Sequence, residues 1–286
     1  METSFSENNI ITLATGRRIG YAEYGDRKGK PLFFFHGYPS CRIQGKMLHK
    51  KAKELHIRLI SLDRPGYGLS DFQKNRTLLD WPGDIQEIAD QLYIKKFSVL
   101  GISGGGPYAA VCAYKLPKRV LNTGIVVGLA PLSNKELLQQ MAFLHRLAWN
   151  IYRKSPLLHH MGTLFYLALD KKIIPNYYSL LQSVDKKVVT KSIIKVIEKN
   201  RHEAFRQGSK GASMDIKIYT SGWGFELKDI KNPVLLWYGA DDKLVSPLMG
   251  KYYASQIPNS KLTIYKEAGH FLYLQHSDTI LKTFIQ

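Results

Sequence analysis

Three separated points of the chain carry residue types that could together perform acyl transfer. Ser103 sits in Gly101-Ile102-Ser103-Gly104-Gly105, an Asp241-Asp242 pair sits in Ala240-Asp241-Asp242-Lys243-Leu244-Val245, and His270 sits in Glu267-Ala268-Gly269-His270. A serine hydroxyl is nearly inert at neutral pH, so it needs an imidazole base that a carboxylate holds in one tautomer. Adjacent residues leaving a strand point to different sides, and only one member of the aspartate pair can face the imidazole.

The surrounding segments decide whether these letters can meet. Phe97-Ser98-Val99-Leu100 reads as a strand running into the serine turn, and Gly106 to Ala113 reads as the helix leaving it. A nucleophile on so sharp a turn is forced into strained backbone angles, and small flanking residues let strand and helix approach. The helix start also favours developing negative charge. The acid and the histidine each follow a late strand-like run, PVLLWYG and KLTIYK respectively. Acyl transfer further needs donors for the oxyanion. The backbone N–H of Gly104 is one candidate. The other is that of Tyr38, in the loop His36-Gly37-Tyr38-Pro39, where a turn at Pro39, cis if need be, can aim it inward.

Each piece has a plainer reading. The glycine-rich turn could cradle a phosphate, the aspartates could cap a helix near Pro247, and a lone histidine is usually a satisfied loop residue. His36 is best read as such a packing residue rather than a second base. The combination, in order and at strand ends, outweighs these readings.

At this level of detail the chain resembles the α/β-hydrolase superfamily. The residues that carry the likeness are His-Gly-Tyr-Pro, Asp63-Arg64-Pro65-Gly66-Tyr67-Gly68-Leu69-Ser70, Gly-Ile-Ser-Gly-Gly-Gly-Pro, Gly-Ala-Asp-Asp-Lys-Leu-Val and Ala-Gly-His. More narrowly it resembles the cap-bearing branch with H-G-x-P and D-R-P-G-Y-G-x-S loops, over about Arg17 to Ala130 and Pro233 to Ile280. The resemblance implies an eight-stranded sheet with its second strand antiparallel, a cap after the sixth strand, no cofactor, and the order Ser, Asp, His that this fold uses. It selects Asp242 over Asp241, because an Asp followed three residues later by Val245 fits the family's acid loop. It makes the Asp63–Ser70 segment structural, and serine at position 103 argues against the epoxide hydrolases and haloalkane dehalogenases, which carry aspartate there.

Apolar runs of strand length alternate with helix-period segments, the pattern of a mostly parallel sheet with helices on both faces. After a hairpin turning near Thr15-Gly16, the candidate strands are PLFFFH, IRLISL, FSVLGI, VLNTGIVVG, PVLLWYG and KLTIYK. From about Ser133 to Lys228 no strand-like run occurs, while three segments carry apolar residues at helical spacing. The expected organisation is a core of residues 1–132 and 229–286 with a helical cap over 133–228. The cap aromatics Phe143, Trp149, Tyr152, Phe165, Tyr166, Tyr177 and Tyr178 read as packing residues, some lining an apolar pocket. His159-His160 and His202 lack partners at metal spacing, and Cys41 and Cys112 read as buried thiols.

A chain of 286 residues that is 44% hydrophobic can fill one large core, and two cysteines are too few for a disulfide framework. No leader and no membrane-spanning run is visible in the sequence, so a soluble cytoplasmic protein is expected. The formal net charge of +18 is dispersed along the chain without a nucleic-acid motif. It implies a solvated face and weak, non-specific attraction to anionic surfaces rather than a dedicated nucleic-acid partner. The expected function is a serine hydrolase acting on an ester-like bond of a small, largely apolar acyl substrate. The same constellation serves a thioesterase, lactonase, carbon–carbon hydrolase or acyltransferase. A ligand receptor on the same scaffold is the rival from another class.

Overall fold

A computed structural model describes residues 5–139, 141, 143–155, 157–158, 160–162 and 181–285. The strands are β1 (Ser6–Thr12), β2 (Arg18–Gly25), β3 (Lys30–Phe35), β4 (Ile57–Leu62), β5 (Phe97–Ile102), β6 (Val120–Val126), β7 (Val234–Gly239) and β8 (Ser260–Tyr265). They form one eight-stranded sheet in the order β1-β2-β4-β3-β5-β6-β7-β8. β2 pairs antiparallel with both β1 and β4, and every pairing from β4 through β8 is parallel. The hairpin between β1 and β2 turns where expected, with Gly16 at φ +80°.

The parallel strands read as continuous apolar runs because helices cover both faces of the sheet. β5 is buried at all six positions, and Phe33, Phe34 and Phe35 of β3 are fully buried beside it. The helices are α1 (His49–Glu54), α2 (Trp81–Gln91), α3 (Gly106–Lys115), α4 (Lys135–Gln139), α5 (Phe143–Lys154), α6 (Ser183–Lys186), α7 (Lys191–Ala204), α8 (Lys210–Thr220), α9 (Pro247–Gln256), α10 (Leu272–Gln275) and α11 (Ser277–Lys282). The described part of the segment between β6 and β7 is helical, α4 to α8, and adds no strand to the sheet. α7 starts where Thr190 accepts a hydrogen bond from the Ile193 N–H, and it buries Ile197, Asn200, Arg201 and Ala204 at three- and four-residue spacing.

Register brings the carboxyl ends of the strands level. Phe35 pairs with Gly101, Ile102 with Val126, Val126 with Trp237, and Gly239 with Tyr265. The loops after β3, β5, β7 and β8 therefore leave the sheet on one edge. The chain's order reverses between β3 and β5, and such a switch point opens a crevice beyond the carboxyl ends of the strands. The loop holding Tyr38 and the turn holding Ser103 flank that crevice.

Candidate active site

Ser103 follows the last residue of β5 and opens a tight turn, Ser103–Gly105, that runs into α3. Its φ of +54° is a left-handed conformation that a non-glycine residue holds only when its surroundings enforce it. The flanking glycines are enforced sterically. A Cβ on Gly101 would lie 2.2 Å from the Gly105 carbonyl oxygen, and one on Gly105 would lie 2.1 Å from that of Phe35. The Ser103 carbonyl accepts a hydrogen bond from the Leu129 N–H at 3.0 Å, which fixes the turn against the end of β6.

His270 and Asp242 come together from the loops after β8 and β7. The His270 Nδ1–H donates to Asp242 Oδ2 at 2.8 Å. A carboxylate only accepts, so the neutral imidazole carries its proton on Nδ1 and keeps the Nε2 lone pair. Asp242 is 5% exposed, and its other oxygen accepts from the N–H groups of Leu244 at 2.8 Å and Val245 at 2.9 Å. These bonds lock the carboxylate's rotamer. Asp241 is exposed, whereas Asp242 is buried against His270. Burial pulls the His270 pKa down, but the charge and hydrogen bond of Asp242, with a further contribution from Asp185, outweigh it and leave the net shift upward.

Ser103 and His270 line one cavity of about 110 Å³, together with Gly37, Tyr38, Ser40, Gln44, Met47, Ile102, Ile197, Asn200, Phe271 and Tyr273. Ile197 and Asn200 come from α7, so the segment between β6 and β7 closes part of this cavity. Trp149 of α5 is buried, with its ring 5.3 Å from that of Tyr38. The side chains of Phe143 and Tyr152, together with Phe165, Tyr166, Tyr177, Tyr178 and His159, lie outside what the structure describes. A larger cavity of about 770 Å³ beside α8, lined in part by Phe72, Met214 and Lys217, contains none of the candidate residues.

The two candidate oxyanion donors are neighbours. A Cβ on Gly104 would come within 2.8 Å of the Tyr38 Cβ. The Tyr38-Pro39 bond is cis, whereas the preceding Gly37-Tyr38 peptide is trans. The Gly37 carbonyl accepts from Arg64 Nη2 at 2.9 Å. Because C=O and N–H point opposite ways across a trans peptide, this contact turns the Tyr38 N–H to the side away from Arg64. His36 donates from Nδ1 to the Gly37 carbonyl at 2.8 Å and accepts at Nε2 from the Arg64 N–H at 3.2 Å. Burial, then the nearby Arg64 cation, push its pKa well down, which leaves it a neutral packing residue.

Two carboxylates of the helices between β6 and β7 had no place among the sequence candidates. Asp215 on α8 is fully buried and binds Arg64 Nε at 2.9 Å, the Tyr67 hydroxyl at 2.9 Å, the Tyr108 hydroxyl at 2.6 Å and the Arg76 guanidinium. Burial alone would raise its pKa, but the two guanidinium groups prevail and hold it well below the usual carboxylate range. Asp185 on α6 is 2% exposed, and it accepts from the N–H groups of Phe271 at 2.9 Å and His270 at 3.2 Å. Here burial wins and the pKa is raised. Gly269 was the one available signal for Asp185, since a Cβ there would lie 2.5 Å from the Asp185 Oδ1.

The thiols of Cys41 and Cys112 are buried, and burial pushes both well above the ordinary value. No cluster of metal-ligating side chains occurs among the described residues. Among those residues, no helix is long and apolar enough to cross a membrane.

A parallel sheet with one antiparallel strand, a strained serine after its fifth strand, and an acid–histidine pair after its last two define a hydrolase of the α/β class. The sequence profile of the alpha/beta hydrolase fold family matches residues 30–277, and the chain belongs to that family. An uncharacterised hydrolase of Saccharomyces cerevisiae is 25% identical over 281 residues, covering 96% of this chain and 94% of that protein. A pimeloyl-[acyl-carrier protein] methyl ester esterase of Legionella pneumophila is 25% identical over 275 residues, covering 92% of this chain and 98% of that one. The crystal structure of a hydrolase from Pseudomonas aeruginosa superimposes with a TM-score of 0.71 at 17% identity, covering 97% of this chain and 98% of that chain.

Proposed function

We propose that this enzyme is a serine hydrolase that cleaves an ester-like acyl bond of a small, largely apolar substrate through an acyl-enzyme on Ser103. In acylation, the Ser103 Oγ attacks the acyl carbonyl carbon while His270 Nε2 takes the hydroxyl proton. Asp242 stabilises the imidazolium that forms. The negative charge moves to the carbonyl oxygen, where the backbone N–H groups of Tyr38 and Gly104 receive it. The tetrahedral species collapses as His270 returns its proton to the leaving alkoxide. Water, deprotonated by His270, then attacks the acyl-enzyme, and the proton goes back to the Ser103 Oγ as the acid departs.

The observation that carries this reading is the Nδ1–H bond from His270 to the buried Asp242, with His270 sharing a cavity with Ser103. It leaves Nε2 as the basic atom of a ring that lines the same cavity as Ser103. The named esterase of Legionella supports an ester as the bond class. The small cavity, bounded by Met47, Ile197 and Tyr273, suits a short acyl chain. In the same reading residues 133–228 form the cap over a core of residues 1–132 and 229–286, and the enzyme works in the cytoplasm without a cofactor.

The test is a chain-length series of p-nitrophenyl esters assayed with the wild type and Ser103→Ala. Acetyl and butyryl esters should turn over with much higher kcat/KM than decanoyl, and Ser103→Ala should turn over none of them above background. A folded wild type inert toward every short ester would overturn the reading. Equal activity in Ser103→Ala would do so as well.

A further inference from the structure

We propose that Asp185 is a second carboxylate for the candidate catalytic histidine: a positioning residue, carried by the inserted helices, that fixes the His270 loop and supports the imidazolium formed in each acyl-transfer step. The proposal rests on the serine-hydrolase reading and adds a fourth side chain to it.

Geometry carries the inference. The two Asp185 oxygens each receive one of two successive backbone N–H groups, those of His270 and Phe271, so the carboxylate straddles the peptide on which the imidazole is mounted. That grip fixes the backbone at His270 just as Asp242 fixes the ring at Nδ1. The approach is built in, because any side chain at Gly269 would collide with the carboxylate. Asp185 comes from a helix between β6 and β7, whereas Asp242 and His270 follow β7 and β8, so two separate segments of the chain hold the base.

Electrostatics give the grip a chemical consequence. Among the described residues, the charged groups whose fields act on His270 are Asp242, from the loop after β7, and Asp185, from α6. Among the described residues Asp185 makes no ion pair with a Lys or Arg, and the charges that bear most on it are those of His270 and Asp242. A buried carboxylate without a cation is costly, and the imidazolium is the one positive charge the mechanism supplies beside it. Proton transfer from Ser103 to His270 therefore relieves a cost that the ground state bears, and interactions that strengthen only along the reaction favour the chemical step.

The experiment compares wild type, Asp185→Asn, Asp185→Glu and Gly269→Ala. Two quantities are read: the acid limb of kcat/KM on a short activated ester, and the His270 imidazole titration followed by ¹⁵N NMR. With Asp185→Asn both midpoints should move to lower pH and kcat should fall with little change in KM, while Asp185→Glu should restore part of the shift. Gly269→Ala keeps the charge but displaces it, and should move the midpoints in the same direction as Asp185→Asn. Unmoved midpoints in both Asp185→Asn and Gly269→Ala would overturn the inference. The NMR titration needs no turnover, so it tests Asp185 even if the wild type hydrolyses nothing. A turning-over wild type with unmoved midpoints would remove Asp185 and leave the serine-hydrolase reading intact.

Discussion

Asp215 and Asp185 both belong to helices between β6 and β7 and both are buried, but their surroundings are opposite. Asp215 lies between two buried guanidinium groups and the hydroxyls of Tyr67, Tyr108 and Tyr219, and its pKa is driven down. Asp185 accepts from two backbone N–H groups and, among the described residues, pairs with no Lys or Arg, and burial drives its pKa up. The first carboxylate is a rivet. It holds Arg64, whose guanidinium in turn holds the carbonyls of His36 and Gly37 under the Tyr38 loop. The second sits at the backbone of His270, the imidazole that the proposed mechanism protonates. Burial by itself therefore says little about a carboxylate's role, and the identity of its compensating groups says much more.

The largest effect should fall on a third carboxylate, Asp242, which both orients and charge-compensates His270. Asp242→Asn should lower kcat on a short activated ester by about ten-thousand-fold, because the ring loses its tautomer control. A loss of only a few fold would mean that Asp185 can take over, which would erase the distinction drawn between the two groups.

Asp215→Asn comes next, with stability as the readout. It leaves two buried arginines facing a neutral amide and should cost about 3–5 kcal/mol in denaturant unfolding. The pH dependence follows from the sign of the shift. A depressed folded pKa contributes stability that is full above the unfolded value near 4 and is lost as pH falls toward the folded value. The gap between wild type and Asp215→Asn should therefore narrow on acidification below about pH 4.

Asp185→Asn should have a smaller effect on stability, within about 1.5 kcal/mol at neutral pH. A raised folded pKa has the opposite linkage: the ionised carboxylate is a cost at neutral pH that disappears once the group is protonated in acid. Removing it trades one hydrogen bond against that cost. A loss as large as that of Asp215→Asn would show that both carboxylates are structural rivets. Asp241→Asn should have the least effect of all, within about 0.5 kcal/mol in stability and with kcat unchanged, since its side chain faces solvent.

The same contrast shows what the sequence could reveal. The strands of the sheet were legible as apolar runs, and the turn at Ser103 as glycines around a serine between a strand and a helix, because backbone sterics impose those patterns locally. Asp185 left no such trace. Its partners are backbone N–H groups 85 and 86 residues away in the chain, and any residue type supplies those. Arg64 was visible within a loop motif read as structural, but its reach to the Gly37 carbonyl depends on Asp215, 151 residues further on. Long-range polar contacts have no period, so the hold of Asp185 and Asp215 on the two loops appears only once the chain is folded.

If Ser103 is an activated nucleophile, covalent labelling will report it whatever the natural substrate. A fluorophosphonate probe forms a tetrahedral adduct that draws on the same base and oxyanion donors as the proposed transition state. Intact-mass analysis and peptide mapping should find one adduct, on Ser103, absent in Ser103→Ala and formed far more slowly in His270→Ala. A folded wild type that takes up no probe, or takes it up on another residue, would show that Ser103 is not an activated nucleophile.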